Sequence, residues 1–161
     1  MKRLIYTFFV MISLFLSCSE PERTEPDCST YNLLYHPYSA EEYELMMLLN
    51  TYRIQNNLSH VIPNNHIGSV CFRHTRWMIE NNTYNHSGFQ DRFDNIQCIL
   101  NASRVGECVG YNYYTPQSML NALINSPSHY MVIRSDANLV GCSIQTNEQG
   151  RKTFSMLLVK N

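Results

Sequence analysis

The feature that most constrains this chain is a nearly unbroken apolar run over residues 4–16, which follows Lys2 and Arg3 and leads into Cys18. At about 1.5 Å per helical residue the run reaches roughly 20 Å, well short of the roughly 30 Å of hydrocarbon that a membrane-spanning helix must cross. A positive start, a short apolar run and a small residue before the end are typical of a secretory signal. We therefore expect residues 1–17 to be a removable signal peptide.

Cys18 directly follows the small residue Ser17, which is the pattern that bacterial lipoprotein processing recognises. We expect the Cys18 thiol to carry a lipid that anchors the exported chain to a bacterial cell membrane or outer membrane, facing the periplasm or the cell exterior. The alternative is ordinary cleavage nearby, which would leave Cys18 a plain cysteine. Residues 18–38 then form the attachment site and a flexible tether, because the part after Cys18 is rich in Glu, Pro, Arg and Thr.

Residues 39–161 are long enough for one domain with one hydrophobic core. Once Lys2 and Arg3 are removed with the signal, ten basic residues face 13 acidic ones, a formal net charge of −3. This weakly acidic chain has no basic patch, so we do not expect a nucleic-acid partner.

Five cysteines remain beyond Cys18, and export makes one or two disulfides plausible with at least one thiol left unpaired. No two of them have the C-x-x-C spacing of a structural zinc site. The five are Cys28, Cys71, Cys98, Cys108 and Cys142.

Helical patterns dominate the first part of the domain. Ser39 and Glu42 form a capping-box pattern that predicts a helix over 40–56, and apolar residues recur at helical spacing from Ile67 to about 81. The stretch 82–94 is polar and glycine-bearing, so residues 85–88 are predicted to be loop or turn.

The second part of the domain combines a helix with paired strands. Thr115 and Pro116 open a third helix as N-cap and first residue. Two β-branched or apolar runs, 139–146 and 152–159, are separated by Asn-Glu-Gln-Gly, which is typical of a hairpin. Helices followed by paired strands predict an α+β domain with an antiparallel sheet flanked by helices.

Five short motifs occur in a fixed order: Leu-Leu-Asn-Thr-Tyr-Arg at 48–53, Asn-His-Ser-Gly at 85–88, Val-Gly-Glu at 105–107, Asn-Ser-Pro-Ser-His at 125–129 and Val-Gly-Cys at 140–142. Together they resemble the CAP superfamily of cysteine-rich secretory, antigen 5 and pathogenesis-related proteins, which carry the SCP-like extracellular domain, in its bacterial lipoprotein form. No single motif is specific, but their order and spacing are. The resemblance extends from about residue 40 to residue 159.

The resemblance implies a three-layer α-β-α sandwich with a central cleft lined by two histidines and one or two acidic residues. Carried over by motif, the histidines are His86 and His129, and the acid of the Gly-Glu-Asn motif is Glu107. A second acid does not align; Asp91 and Asp94 are the nearest carboxylates.

Two imidazoles and a carboxylate could hold a divalent cation such as zinc, with His86 and His129 as ligands and an open position for water. Alternatively, His86, Glu107 and His129 could satisfy one another by hydrogen bonds and shape a polar pocket. Here Cys108 stands where the family motif has Asn. We expect its thiol to pair with Cys98, which lies ten residues earlier across a short loop.

Three functions remain open at this point. The first is a binding module for a lipid, a sterol-like molecule, a peptide or an extracellular protein partner, without turnover. The second is a metal-dependent, peptidase-like hydrolase that uses His86, Glu107 and His129. The third is a structural cell-envelope protein whose site is vestigial. Because folds do not fix functions, the motifs predict no particular reaction, and we expect binding rather than catalysis.

Overall fold

The structure is a computed structural model and describes residues 25–161. The predicted signal peptide 1–17 and the attachment residue Cys18 lie outside the described residues. A short 3-10 turn, Cys28–Thr30, comes first. The remaining elements are α1 Ala40–Gln55, β1 Ile62–Pro63, α2 Asn65–Glu80, α3 Phe89–Leu100, β2 Arg104–Tyr113, α4 Pro116–Asn125, α5 Pro127–Ile133, β3 Leu139–Thr146 and β4 Lys152–Lys160.

The four strands form one sheet in the order β1-β3-β4-β2. Strand β4 is central and pairs antiparallel with both β3 and β2, so that β2 lies at the sheet's edge. The short β1 pairs parallel with β3 at the other edge, through Ile62 and Pro63. The predicted hairpin is confirmed, whereas the parallel edge strand was not foreseen because two residues carry no periodicity.

Helices cover both faces of the sheet, which confirms the predicted α-β-α sandwich. The residues of each layer form a separate buried cluster, because side chains alternate between the two faces of a strand. One cluster joins α1, α4 and α5 to the sheet through Leu45, Met119, Ile133, Cys108 and Met156. The other joins α2 and α3 to it through Ile67, Val70, Ile96, Leu157 and Val159.

Local capping explains where the predicted helices begin. The Ser39 hydroxyl accepts from the backbone N–H of Glu42, and the Glu42 carboxylate accepts from the N–H of Ser39, a complete capping box for α1. Thr115 caps α4 in the same way, with Pro116 at its first position. Within the described part of the chain, no helix is both long and apolar enough to cross a membrane.

The loop or turn predicted at residues 85–88 is confirmed, but helix α3, which follows directly, was not predicted. Gly88 occupies its N-cap with φ +72 and provides no side-chain cap, so the usual start signal is absent. Its buried residues Arg92, Asn95 and Ile96 form a partly polar inner face, which weakens the apolar pattern that sequence reasoning looks for.

The predicted Cys98–Cys108 disulfide is wrong. Cys98 is bonded to Cys28 instead, 70 residues earlier, and Cys108 is a free, buried thiol. The physical reason is the sheet: Cys98 lies on α3, which packs on one face, whereas the Cys108 side chain belongs to the cluster on the other face.

Residues 28–38 lie against the domain, although the sequence predicts a tether through residue 38. Besides the disulfide, the backbone N–H of Leu34 donates to Nδ1 of His66 at 3.0 Å. The hydroxyls of Tyr31 and Tyr38 donate to Asp91 and to the carbonyl of Asn64. We call residues 28–38 the N-terminal strap.

Candidate functional site

His86 lies in the loop before α3, and neighbouring polar groups fix that loop. The side-chain oxygen of Asn85 accepts from the N–H of Ser87, and Nε2 of His74 on α2 donates to the Asn85 carbonyl at 2.9 Å. The N–H of Phe89 then donates to the His86 carbonyl at 3.0 Å. These bonds hold the loop while leaving half of the His86 side chain exposed.

Glu107 lies on β2 with only 2% of its side chain exposed, and Arg92 of α3 provides its counter-charge. The guanidinium makes two bonds to the carboxylate: Nε to Oε2 at 2.6 Å and Nη2 to Oε1 at 2.7 Å. Its third nitrogen donates to the Ser87 carbonyl at 2.8 Å. Arg92 therefore neutralises the buried acid and ties the histidine loop to it, in the two-pronged geometry that guanidinium groups favour.

His86 completes this cluster, because its Nδ1 lies 2.8 Å from Oε1 of Glu107. A carboxylate only accepts hydrogen bonds, so Nδ1 must carry the proton. In the neutral ring Nε2 is then an acceptor that points away from the Glu107 bond. The arrangement thus fixes one tautomer and one ring orientation for an imidazole that solvent and ligands can reach.

His129 approaches from the opposite layer, on α5, with its ring centroid 6.0 Å from that of His86. Burial first, and the nearby His86 second, lower the pKa of His129 below the ordinary value of 6.5. Both effects disfavour a charged ring. His129 is therefore a neutral, half-buried partner at the cleft.

Arg53 of α1 secures the helix that carries His129. Its fully buried guanidinium donates to the carbonyls of Ile133 at 2.7 Å and Ser135 at 3.0 Å, and its Nε donates to Ser59 at 2.8 Å. These bonds satisfy carbonyls at and just after the end of α5. Within the Leu-Leu-Asn-Thr-Tyr-Arg motif, Arg53 therefore shapes the cleft from a distance.

The structure thus brings together His86, Glu107 and His129, but neither candidate second acid. Asp91 accepts a hydrogen bond from the Tyr31 hydroxyl, and Asp94 accepts one from Gln90. The second charged residue beside the histidines is a base, Arg92, which is paired with Glu107. Sequence reasoning missed Arg92 because an isolated arginine in a polar stretch carries no pattern; only its place on the inner face of α3 reveals it.

The Glu107 carboxylate is already committed to other partners and does not fit as a ligand of a divalent cation. Oε1 of Glu107 accepts from Arg92 and His86, and Oε2 accepts from Arg92, so a metal on this carboxylate would sit beside the guanidinium charge. Among residues 25–161, no group of three or more His, Cys, Asp or Glu side chains is placed to hold a metal ion. The Cys108 thiol faces the other layer, and burial raises its pKa.

Helices on both faces of a small mixed sheet, with paired histidines at its edge strand, define the SCP-like class of α-β-α sandwich domains. The chain belongs to the cysteine-rich secretory protein family, known as CAP, whose family model matches residues 46–159. No curated protein matches this chain.

Solved structures share the fold at low sequence identity. An outer surface protein from Borrelia burgdorferi is 21% identical with a TM-score of 0.65, and the match covers 80% of this chain and 99% of that one. An extracellular protein containing an SCP domain from Bacillus anthracis is 16% identical with a TM-score of 0.65, covering 78% of this chain and 45% of that one. A cysteine-rich secretory protein from Staphylococcus aureus is 12% identical with a TM-score of 0.64, covering 78% and 40%.

Proposed function

We propose that this protein is an exported, lipid-anchored CAP domain that binds a ligand without turnover in the cleft formed by His86, Glu107 and His129. The observation that carries the proposal is the Arg92–Glu107–His86 cluster. It holds an exposed imidazole in a single orientation beside a second neutral imidazole.

Such a cleft suits recognition of a polar group. The free Nε2 of His86 can accept a hydrogen bond, and the half-buried ring of His129 offers both an apolar face and a polar edge. The positioning bonds already exist without a ligand, so little ordering cost remains for binding. A metal-dependent hydrolase would need Glu107 as a ligand or base, but that carboxylate is paired with Arg92. The convergence of the three side chains around the half-exposed ring of His86 argues against a vestigial site.

Two observations support export. The Cys28–Cys98 disulfide is typical of an oxidising compartment. Relatives of the same fold are described as an outer surface protein and an extracellular protein. The cross-link to Cys28 would place the domain at the end of a tether of about ten residues, reaching at most roughly 35 Å from the membrane surface.

Native mass spectrometry of the full-length protein, extracted in detergent from the membranes of the producing cell, tests the proposal. We expect a processed chain that starts at Cys18 with an added lipid mass, and a retained small ligand. The double variant His86→Ala/His129→Ala should lose the ligand, whereas the matched variant His60→Ala, which changes an exposed histidine elsewhere, should keep it. A chain that carries no ligand would overturn the binding role, and an unmodified Cys18 would overturn the anchor.

A further inference from the structure

The edge strand β2 has hydrogen-bonding capacity that the domain does not use. Arg104–Tyr113 pairs with β4 on one side only, and in the described part of the chain its backbone makes no hydrogen bond with any other segment. In an antiparallel strand every second residue directs its N–H and C=O away from the paired neighbour. The outer side of β2 therefore presents a row of unpaired donors and acceptors.

The usual protection of a sheet edge is largely missing here. Natural edge strands are blunted by lysine, proline, outward charges or bulges. Residues 105–110 contain no lysine or proline, and their single charge, Glu107, is held in the buried ion pair. A register shift between Tyr111 and Tyr113 ends the regular pairing. About seven residues, roughly 23 Å of strand, remain open to a partner.

A pocket of about 320 Å³ surrounds the start of this edge. Its floor is the strand from Ser103 to Gly106, and its apolar walls come from both helical layers: Phe93 on α3, and Met131 and Val132 on α5. Met131 is 72% exposed, which is unusual for a large apolar side chain. A strand added beside β2 would direct successive side chains alternately toward these two walls.

The pocket at the start of β2 carries a net positive charge. Arg104 and Lys160 line the pocket together with Asp136, which forms an ion pair with Arg104, so the three contribute a formal net charge of +1. A peptide that runs antiparallel to β2 would reach this end at its own C-terminus. The positive end is therefore complementary to a terminal carboxylate.

The geometry points to an extended peptide with a free C-terminal carboxylate as the ligand class. The peptide adds as an antiparallel strand to β2, with apolar side chains near its C-terminus in the pocket walled by Phe93 and Met131. Farther along the strand it passes Glu107 and the exposed His86. This inference rests on the proposed binding function and names the ligand of that module.

Fluorescence anisotropy of the full-length protein with a labelled pool of random heptapeptides tests the inference. Bound peptides should be enriched in apolar residues at alternate positions near the C-terminus, and amidation of the C-terminus should weaken binding at least about ten-fold. In an added strand, every second amide of the peptide donates to β2 and the others point away from it. N-methylation of the first set should therefore abolish binding, whereas N-methylation of the second set should not.

Two exposed methionines provide a matched pair of variants. Met131→Glu should reduce peptide binding at least about ten-fold by placing a charge on the pocket wall, whereas Met47→Glu on α1, 68% exposed, should leave it unchanged. Equal sensitivity to both N-methylated sets, or no effect of Met131→Glu, would overturn strand addition. A dimer that Met131→Glu dissociates would overturn it in favour of self-association.

The two proposals can fail separately. If the extracted protein retains a ligand that depends on His86 and His129 while no heptapeptide binds, the peptide inference is wrong and the binding function stands. If neither a retained ligand nor a bound peptide is found, both are wrong.

Discussion

Arg92 and Glu107 form a two-pronged ion pair, 2.6 and 2.7 Å long, between α3 and the edge strand β2. Only 9% and 2% of their side chains are exposed. The pair joins the helix to the strand and supports the histidine loop, because Arg92 also donates to the carbonyl of Ser87.

Removing Arg92 should be strongly destabilising. Arg92→Met leaves a buried carboxylate without its counter-charge, which should lower the free energy of unfolding by about 3–5 kcal/mol. Urea denaturation measures the change. Arg76→Met is the control, since Arg76 pairs with Glu80 on the surface with both side chains 59% exposed, and it should cost less than about 1 kcal/mol. Equal losses for the two variants would contradict the assigned role.

Arg53 should contribute comparably to stability through backbone carbonyls. Arg53→Met leaves the buried carbonyl of Ile133 and the part-buried carbonyl of Ser59 without their donor. We expect a loss of about 2–3 kcal/mol from the unsatisfied groups and the looser end of α5. Ligand retention should fall too, because α5 carries His129. A variant with wild-type stability in urea would show that water replaces the guanidinium without cost.

The disulfide assignment gives a chemical prediction. Peptide mapping without reduction should find Cys28 linked to Cys98, with Cys71, Cys108 and Cys142 reactive only after unfolding. Cys28→Ser should lower the free energy of unfolding by up to about 4 kcal/mol, because the cross-link spans 70 residues. Cys108→Ala should leave the disulfide intact. A peptide that links Cys98 to Cys108 would restore the pairing expected from the sequence.

Acid should lower the free energy of unfolding because three buried or half-buried histidines must become protonated. Burial is the largest cause that lowers the pKa of His66, His74 and His129 below 6.5. The unfolded chain then binds protons more readily, so their contribution is full above about pH 6.5 and is lost as the pH falls through the folded-state values. The melting temperature should drop between about pH 7 and pH 5, and less so in His74→Gln. A flat or rising profile would contradict the assignment.

Protonation of His66 should also loosen the N-terminal strap. Its Nδ1 accepts from the N–H of Leu34, and its Nε2 lies 2.8 Å from the side-chain oxygen of Asn95. A second ring proton would face the Leu34 N–H. The protection factor of the Leu34 amide, which corrects its exchange rate for the intrinsic rate at each pH, should therefore decrease as the pH falls. A protection factor that does not change with pH would contradict this role of His66.

Local patterns predicted much of the fold, because caps and periodic apolar residues act within a few positions. The α1 capping box, the Thr115–Pro116 start and the final hairpin are of this kind. Long-range partners were not predictable in that way: Cys28 meets Cys98 across 70 residues, and Arg92 meets Glu107 only because α3 packs beside β2. His86, Glu107 and His129 were identified through their motifs, not through any physical pattern.

The most direct test of the account is the tautomer of the His86 ring, that is, which ring nitrogen carries the proton. Long-range ¹H–¹⁵N spectra of the full-length protein at neutral pH should show His86 with its proton on Nδ1, as the 2.8 Å contact with Glu107 requires, and one equivalent of zinc should leave the signals of His86 and His129 unchanged. A proton on Nε2 in place of Nδ1 would contradict the assigned contact with Glu107. Zinc binding that shifts both rings at a one-to-one ratio would contradict the proposed metal-free cleft.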